Sequence, residues 1–269
     1  FEQRLNGVTY EAIARAGGLA AIAAATLAPE RLRQEVARFR AAVAAPLNLN
    51  FFAHRAIPPT GAAVARWRAA LAPLHARLGL DVPAGIAAGR QPFDEPAAAL
   101  VEELRPEVVS FHFGLPEARL LDRVRNAGAM VLSTATTVAE ARWLAARGLD
   151  AVIAQGCEAG GHRGMFLDGD VAGQPGLMAL LPQVADAIDI PVIAAGGIAD
   201  ARGTRAALAL GAVAVQVGTA FLRSPEAATP EFHRRALENA SDGGTRVTNV
   251  FTGRPARGLG TALMDVLGP

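Results

Sequence analysis

The stretch MVLSTATTVAEARWLAARGLDAVIAQ, residues 130–155, decides the fold. MVLSTAT is a short apolar, β-branched run of the kind that forms a buried strand. VAEARWLAARG then places apolar residues at helical spacing and closes on Gly148, and AVIAQ starts a strand again. Strand, helix and strand in one direction require a crossover, and so a parallel sheet.

The same unit recurs along the chain. Strand-like runs begin at Val108 (VVSFHFG), Met130, Ala151, Pro191 (PVIAAGG) and Val213 (VAVQVGTAF), mostly 21 or 22 residues apart. PEARLLDRVRNAG and DARGTRAALALG supply further helices, and upstream GLAAIAAAT and PLNLNFFA read as two more strands. Their helices are APERLRQEVARFRAA and GAAVARWRAALAPLHARLG, and DEPAAALVEELRP precedes the strand at Val108. The count is seven strands in an α/β barrel pattern, read as one domain over residues 1–269. The second half of FEQRLNGVTYEAIARAGG looks like a barrel's first helix, with no first strand before it.

One interval breaks the period. From Ala151 to Pro191 is 40 residues, because EAGGHRGMFLDGDVAGQPG intervenes before the helix LMALLPQVADAI. A loop after a strand lies on the C-terminal face of such a sheet, where α/β barrels carry their chemistry. The insertion is therefore the first place to seek a site.

Composition narrows the function. A net charge of +1 without blocks of like charge gives no field to attract nucleic acid or an anionic membrane, leaving small molecules as the expected partners. Cys157 is the only cysteine, which excludes an intrachain disulfide or a cysteine-cluster metal site, and no His/carboxylate spacing suggests a metal. Residues 1–30 lack the pattern of an export signal, so a cytoplasmic protein is expected.

Two glycine-rich segments end successive strands, AAGGIADARG at 194–203 and QVGTAF at 216–221. Backbone N–H groups at such turns suit a phosphate, and the pair at successive strands favours that reading over the alternative in which Gly196 and Gly197 only make a tight turn. His162 lies among Gly160, Gly161 and Gly164 in the insertion, either as a base or anion-stabilising group or as an exposed loop histidine. Arg163 beside it is an anion partner or a solvated side chain. His112 alternates with Phe111 and Phe113, so it enters the barrel if both rings pack on helices; a buried core histidine is the alternative. Asn50 and Gln155 end their strands, where an amide can meet a ligand or fasten a loop. His54, His75 and His233 read as surface residues.

At these residues the sequence resembles the nitronate monooxygenases, formerly 2-nitropropane dioxygenases. The matching words are AGGLA (16–20), NLNFF (48–52), VVSFHFGLP (108–116), ATTVAEARWLAARGLDAVIAQGCEAGGHRG (135–164), ALLPQVADAIDIPVIAAGGIADARG (179–203), AVQVGTAFLRSPEA (214–227) and TNVFTGRPARG (248–258). The resemblance implies a TIM (β/α)8 barrel with a smaller lobe, FMN without a metal, and oxidation of alkyl nitronates by O₂ to carbonyl compounds and nitrite. It implies His162 as the catalytic base on neutral nitroalkanes, with His112 and Asn50 at the substrate, where Arg163 is also expected as the neighbouring anion partner. FMN contacts would fall on Gln155, Gly160, Gly161, Gly196, Gly197, Gln216, Gly218 and Thr219. Against the family pattern, the first barrel strand has no counterpart here and the C-terminal part is shortened. A homodimer is a candidate assembly. The nearest rival is a flavin-dependent enoyl-ACP reductase driven by NAD(P)H, which shares EAGGH and IPVIAAGGIAD; a non-catalytic phosphate-ligand binder is a third reading.

Overall fold

The computed structural model describes residues 10–15, 17–81, 89–224, 227 and 229–267. In chain order these form α1 (Tyr10–Arg15), β1 (Ala20–Ile22), α2 (Pro29–Ala42), β2 (Leu47–Phe52), α3 (Gly61–Leu78), α4 (Glu95–Leu104) and β3 (Val108–His112). Next come α5 (Ala118–Asn126), β4 (Met130–Ala135), α6 (Val138–Ala145), β5 (Ala151–Gln155), β6 (Gly161–His162) and α7 (Leu177–Ala187). The chain continues through β7 (Val192–Ala195), α8 (Ala201–Ala209), β8 (Ala214–Gln216), α9 (Glu231–Glu238), β9 (Thr245–Thr248), β10 (Ala256–Leu259) and α10 (Ala262–Leu267).

Seven strands pair in parallel in the order β1-β2-β3-β4-β5-β7-β8, the curled sheet of a TIM barrel with β1 and β8 as its two edges. The expected strand over GLAAIAAAT is shorter than its apolar run, because Ala24–Thr26 turns into a 3-10 helix whose Thr26 Oγ1 donates to the Ala23 carbonyl. The opening FEQRLNGVT, where no barrel strand was expected, lies outside the described residues.

Alternation along each strand divides the side chains between two cores. Leu49, Phe51, Val109, Phe111, Val131, Val152 and Ala194 face the helices and join Phe39, Leu144 and Leu180 in the larger core. Each fully buried Leu, Val or Phe contributes about 2 kcal/mol there. Val108, Leu132, Ala151, Ile153 and Ala195 face inward as a small plug near the barrel floor. Further along the same inward rows, toward the strand C-termini, come Asn50, Phe52, His112, Thr134, Gln155 and Gln216. The polar interior layer thus sits above an apolar one.

A second, three-stranded antiparallel sheet, β6-β10-β9, stands on this face. Within it Gly161 and His162, read from sequence as plain loop, pair with Arg257 and Ala256. The pattern was invisible locally because a two-residue strand has no periodicity and its partner lies far along the chain.

Candidate active site

The segment from Gly156 to Gly176 crosses the C-terminal mouth of the barrel as a strap, and its fastenings explain several polar residues. Gln155 Nε2 donates to the His162 carbonyl (3.0 Å) while its Oε1 accepts from Gly164 N (2.8 Å). His112 sits beneath. Its Nε2 lies 3.2 Å from the same His162 carbonyl, so that nitrogen carries the proton, and Nδ1 accepts from Thr134 Oγ1 at 3.1 Å. Burial pushes the His112 pKa down to about 3, so the ring is neutral. Gly164 is the point of closest approach: a Cβ there would stand 2.5 Å from Thr134 Cγ2 and 2.9 Å from His112 Cε1.

Arg163 corrects its expected place at the substrate. It is 1% exposed, and its guanidinium donates to Gln174 Oε1, the Gly156 carbonyl and the Gln155 carbonyl. Its geometry fastens the strap from below. On the far side, Glu140 accepts from Thr136 N and Oγ1 through one carboxylate oxygen, and from Phe166 N and Leu167 N through the other.

His162 projects from β6 toward an aromatic cluster. Its ring lies 5.7 Å from Phe113 and 6.4 Å from Phe52, and Nε2 is 2.8 Å from Thr252 Oγ1. Burial, helped by the charges of Arg90 and Arg254, lowers its pKa to about 4. At neutral pH it is an uncharged imidazole able to accept a proton.

Phe113 departs from the expected alternation. Phe111 is buried among the helices, but Phe113 has φ 70°, beyond the end of β3, and this left-handed turn swings its ring back into the site. His54, expected at the surface, is half-buried there too, 5.9 Å from Phe113 and 6.1 Å from Phe52. Arg254 completes the rim, its guanidinium carbon 5.0 Å from the Phe113 ring centroid. Sequence reading missed His54, Phe113, Thr252 and Arg254. For Thr252 and Arg254 the signal was the word TNVFTGRPARG, whose position over the barrel depends on β10 pairing with β6, and for Phe113 the word VVSFHFGLP.

The remaining residues expected at a ligand fall on the opposite flank. Gly196 (φ 123°) and Gly197 (φ 66°) make the turn after β7, with Gly196 packed against Ala159 N. A Cβ on Gly160 would come 2.7 Å from Thr219 Oγ1, so the strap and the turn after β8 face each other closely. Gln216 ends β8 and Gly218 lies on the turn after it, both partly exposed. Asn50 sits one turn of the strand below Phe52, its Nδ2 donating to Ser110 O and Oγ. His162, His112, Gln155 and Gly161 thus form one group on the strap and the ends of β3 and β5, while Gly160 bridges to the glycine turns.

A family model described as nitronate monooxygenase matches residues 9–268. The chain belongs to the nitronate monooxygenase family. Among its relatives, the nitronate monooxygenase of Pseudomonas aeruginosa is 42% identical over 252 residues, 92% of this chain and 71% of that protein. That of Paraburkholderia phytofirmans is 39% identical over 250 residues, 92% of this chain and 68% of that protein. Of solved structures, a nitroalkane oxidase from Streptomyces ansochromogenes superposes with a TM-score of 0.88 at 40% identity, over 99% of this chain and 78% of the other. FabK from Thermotoga maritima gives a TM-score of 0.71 at 28% identity, over 96% and 70%.

Members of the nitronate monooxygenase family are flavin-dependent oxidoreductases, and the site has the chemistry to hold such a group. Among the described residues, the backbone N–H groups of Gly197, Gly218 and Thr219 have no protein acceptor. They stand at the two glycine turns beside the close Gly160–Thr219 approach, where side chains would fill the space. No group of three or more His, Cys, Asp or Glu among the described residues could hold a metal ion. Nor is any helix among them long and apolar enough to cross a membrane.

Proposed function

We propose that this protein, as one FMN-binding unit over residues 1–269, oxidises alkyl nitronates with O₂ to carbonyl compounds and nitrite, and accepts neutral nitroalkanes by first removing an α-proton. The observation that carries this reading is the placement of the His162 imidazole, held by Thr252 at 2.8 Å and packed beside the Phe52 and Phe113 rings at the strand ends. Gly160, Gly161, Gly196, Gly197, Gly218 and Thr219, with Gln216, would hold FMN, the phosphate resting on the two glycine turns. Bound FMN would supply the redox chemistry, taking electrons from the nitronate and passing them to O₂.

The protein's own part is positioning and proton transfer. His162 takes the α-proton of a nitroalkane, leaving the nitronate anion. The Phe52 and Phe113 rings border the site and exclude water from it. His112 and Gln155 hold the His162 carbonyl and so set where the imidazole stands. Asn50 contributes an amide to the interior layer near the substrate.

The test is O₂ uptake with nitrite release on an alkyl nitronate in the absence of NADH. NADH oxidation stimulated by an enoyl thioester would replace this reading with the reductase, and protein that stays colourless with excess FMN would replace it with a non-catalytic barrel. His162→Asn is expected to lose roughly a hundredfold or more on neutral nitroalkanes and far less on preformed nitronates, since only the former need a base. Equal losses on both would remove His162 from that role. Light scattering in solution tests the homodimer.

A further inference from the structure

We infer that Arg254 and His54 form the anion subsite that receives the two oxygens of the nitronate, a role that composition and motif reading had placed on Arg163. The inference rests on the proposed function for its substrate and names the group that recognises it.

The charge is in the right place and is not spent within the protein. Arg254 lies over the Phe113 ring, against which both His162 and His54 also pack. Its Nη2 donates to the Arg55 carbonyl at 3.2 Å, and among the described residues it forms no pair with a carboxylate. Arg163, by contrast, has its donors consumed by two carbonyls and Gln174. A half-buried guanidinium without a counter-ion is costly unless a ligand supplies one, and burial lowers the Arg254 pKa accordingly.

His54 provides the second, independent observation. Its Nδ1 is buried and has no hydrogen-bond partner among the described residues. The ring stands edge-on to Phe113, at 83°, beside the Arg254 charge. The His54 ring also donates to the Arg90 backbone carbonyl, so its partnerless Nδ1 donates to an anion only as the imidazolium, the state that a bound anion favours; with the guanidinium fork it then matches a planar anion with two adjacent oxygens. Held there, the nitro group of the substrate has its developing negative charge met by Arg254 while its α-carbon faces His162.

The experiment uses the FMN-loaded protein, Arg254→Gln, Arg254→Lys and His54→Phe. Nitrate, a planar monoanion of the same shape, is titrated calorimetrically into each, and KM and kcat are measured on an alkyl nitronate and on the neutral nitroalkane. In Arg254→Gln, nitrate affinity is expected to fall roughly 10- to 100-fold, the loss of a charge-assisted hydrogen bond, with a matching rise in KM for the nitronate. Arg254→Lys should recover part of the nitrate affinity, and His54→Phe should lose less than Arg254→Gln. Rising salt should weaken nitronate capture in the unmodified protein and have little effect in Arg254→Gln. Unchanged nitrate affinity and nitronate KM in a folded Arg254→Gln would overturn the inference, as would a fall in kcat alone. Should Arg254→Gln not fold, Arg254→Lys decides: nitrate affinity equal to the unmodified protein's at every salt concentration, with no change in KM, also overturns it. An unmodified protein that does not turn over nitronates would instead sink the proposed function, while nitrate binding would still report on the subsite.

Discussion

Gly164 shows how little room the strap has. Its Cα faces Thr134 and His112 so closely that a methyl group would overlap Thr134 Cγ2 at 2.5 Å, and the neighbour is a β-branched side chain with restricted rotamers in a central strand. Gly164→Ala is therefore expected to destabilise the protein by about 1–3 kcal/mol, read from the urea midpoint, and to lower activity on neutral nitroalkanes by displacing His162. A fully active, equally stable variant would mean that the strap has slack at this point. The residue scale is also where sequence reading divided. His162 and Gly160 were legible because several glycines in one loop call for close backbone approach. His54 and Phe113 were not, because one depends on which surface folds over it and the other on a left-handed φ that alternation cannot foresee.

The strap is an element only through its fastenings. A buried carboxylate, Glu140, holds two N–H groups of the strap and two donors of the β4–α6 turn, and on the other side Gln174 donates from Nε2 to Thr136 Oγ1 while its Oε1 accepts from Arg163. Glutamine at position 140 would set its NH₂ against two of those donors. Glu140→Gln is expected to cost about 3 kcal/mol and to speed amide exchange at residues 161–167 before the rest of the barrel opens. Uniform exchange across strap and barrel would show that the two unfold together. The sequence marked the strap through its break in the strand–helix period. It could not show β6, since two residues become a strand only when β10 lies alongside.

At the scale of the molecule, burying neutral histidines on and beneath the strap ties stability to pH. His112 at about 3 and His162 at about 4 sit below the ordinary imidazole value of 6.5. Between those limits the unfolded chain binds more protons than the folded one, so stability is greatest above about pH 6.5 and declines as pH falls. Urea midpoints should drop from pH 7 to pH 5, and the slope should be shallower in His112→Asn by up to about 1.4 kcal/mol per pH unit. An unchanged slope would mean that His112 titrates alike in both states. The barrel itself was the most legible level, because strand and helix alternate seven times, three of the intervals repeat at 21 or 22 residues, and the outward and inward rows follow from alternation within each strand.

By itself the sequence determined the parallel sheet, the order of its strands and the loop that carries His162, since periodicity and glycine spacing are local properties written along the chain. Tertiary structure alone decided how the two arginines of this face are surrounded. Arg163 and Arg254 are equally charged on paper, but the folded chain surrounds the first with carbonyls and leaves the second over an aromatic ring. Desolvation and partners, not residue type, assign a charge its work.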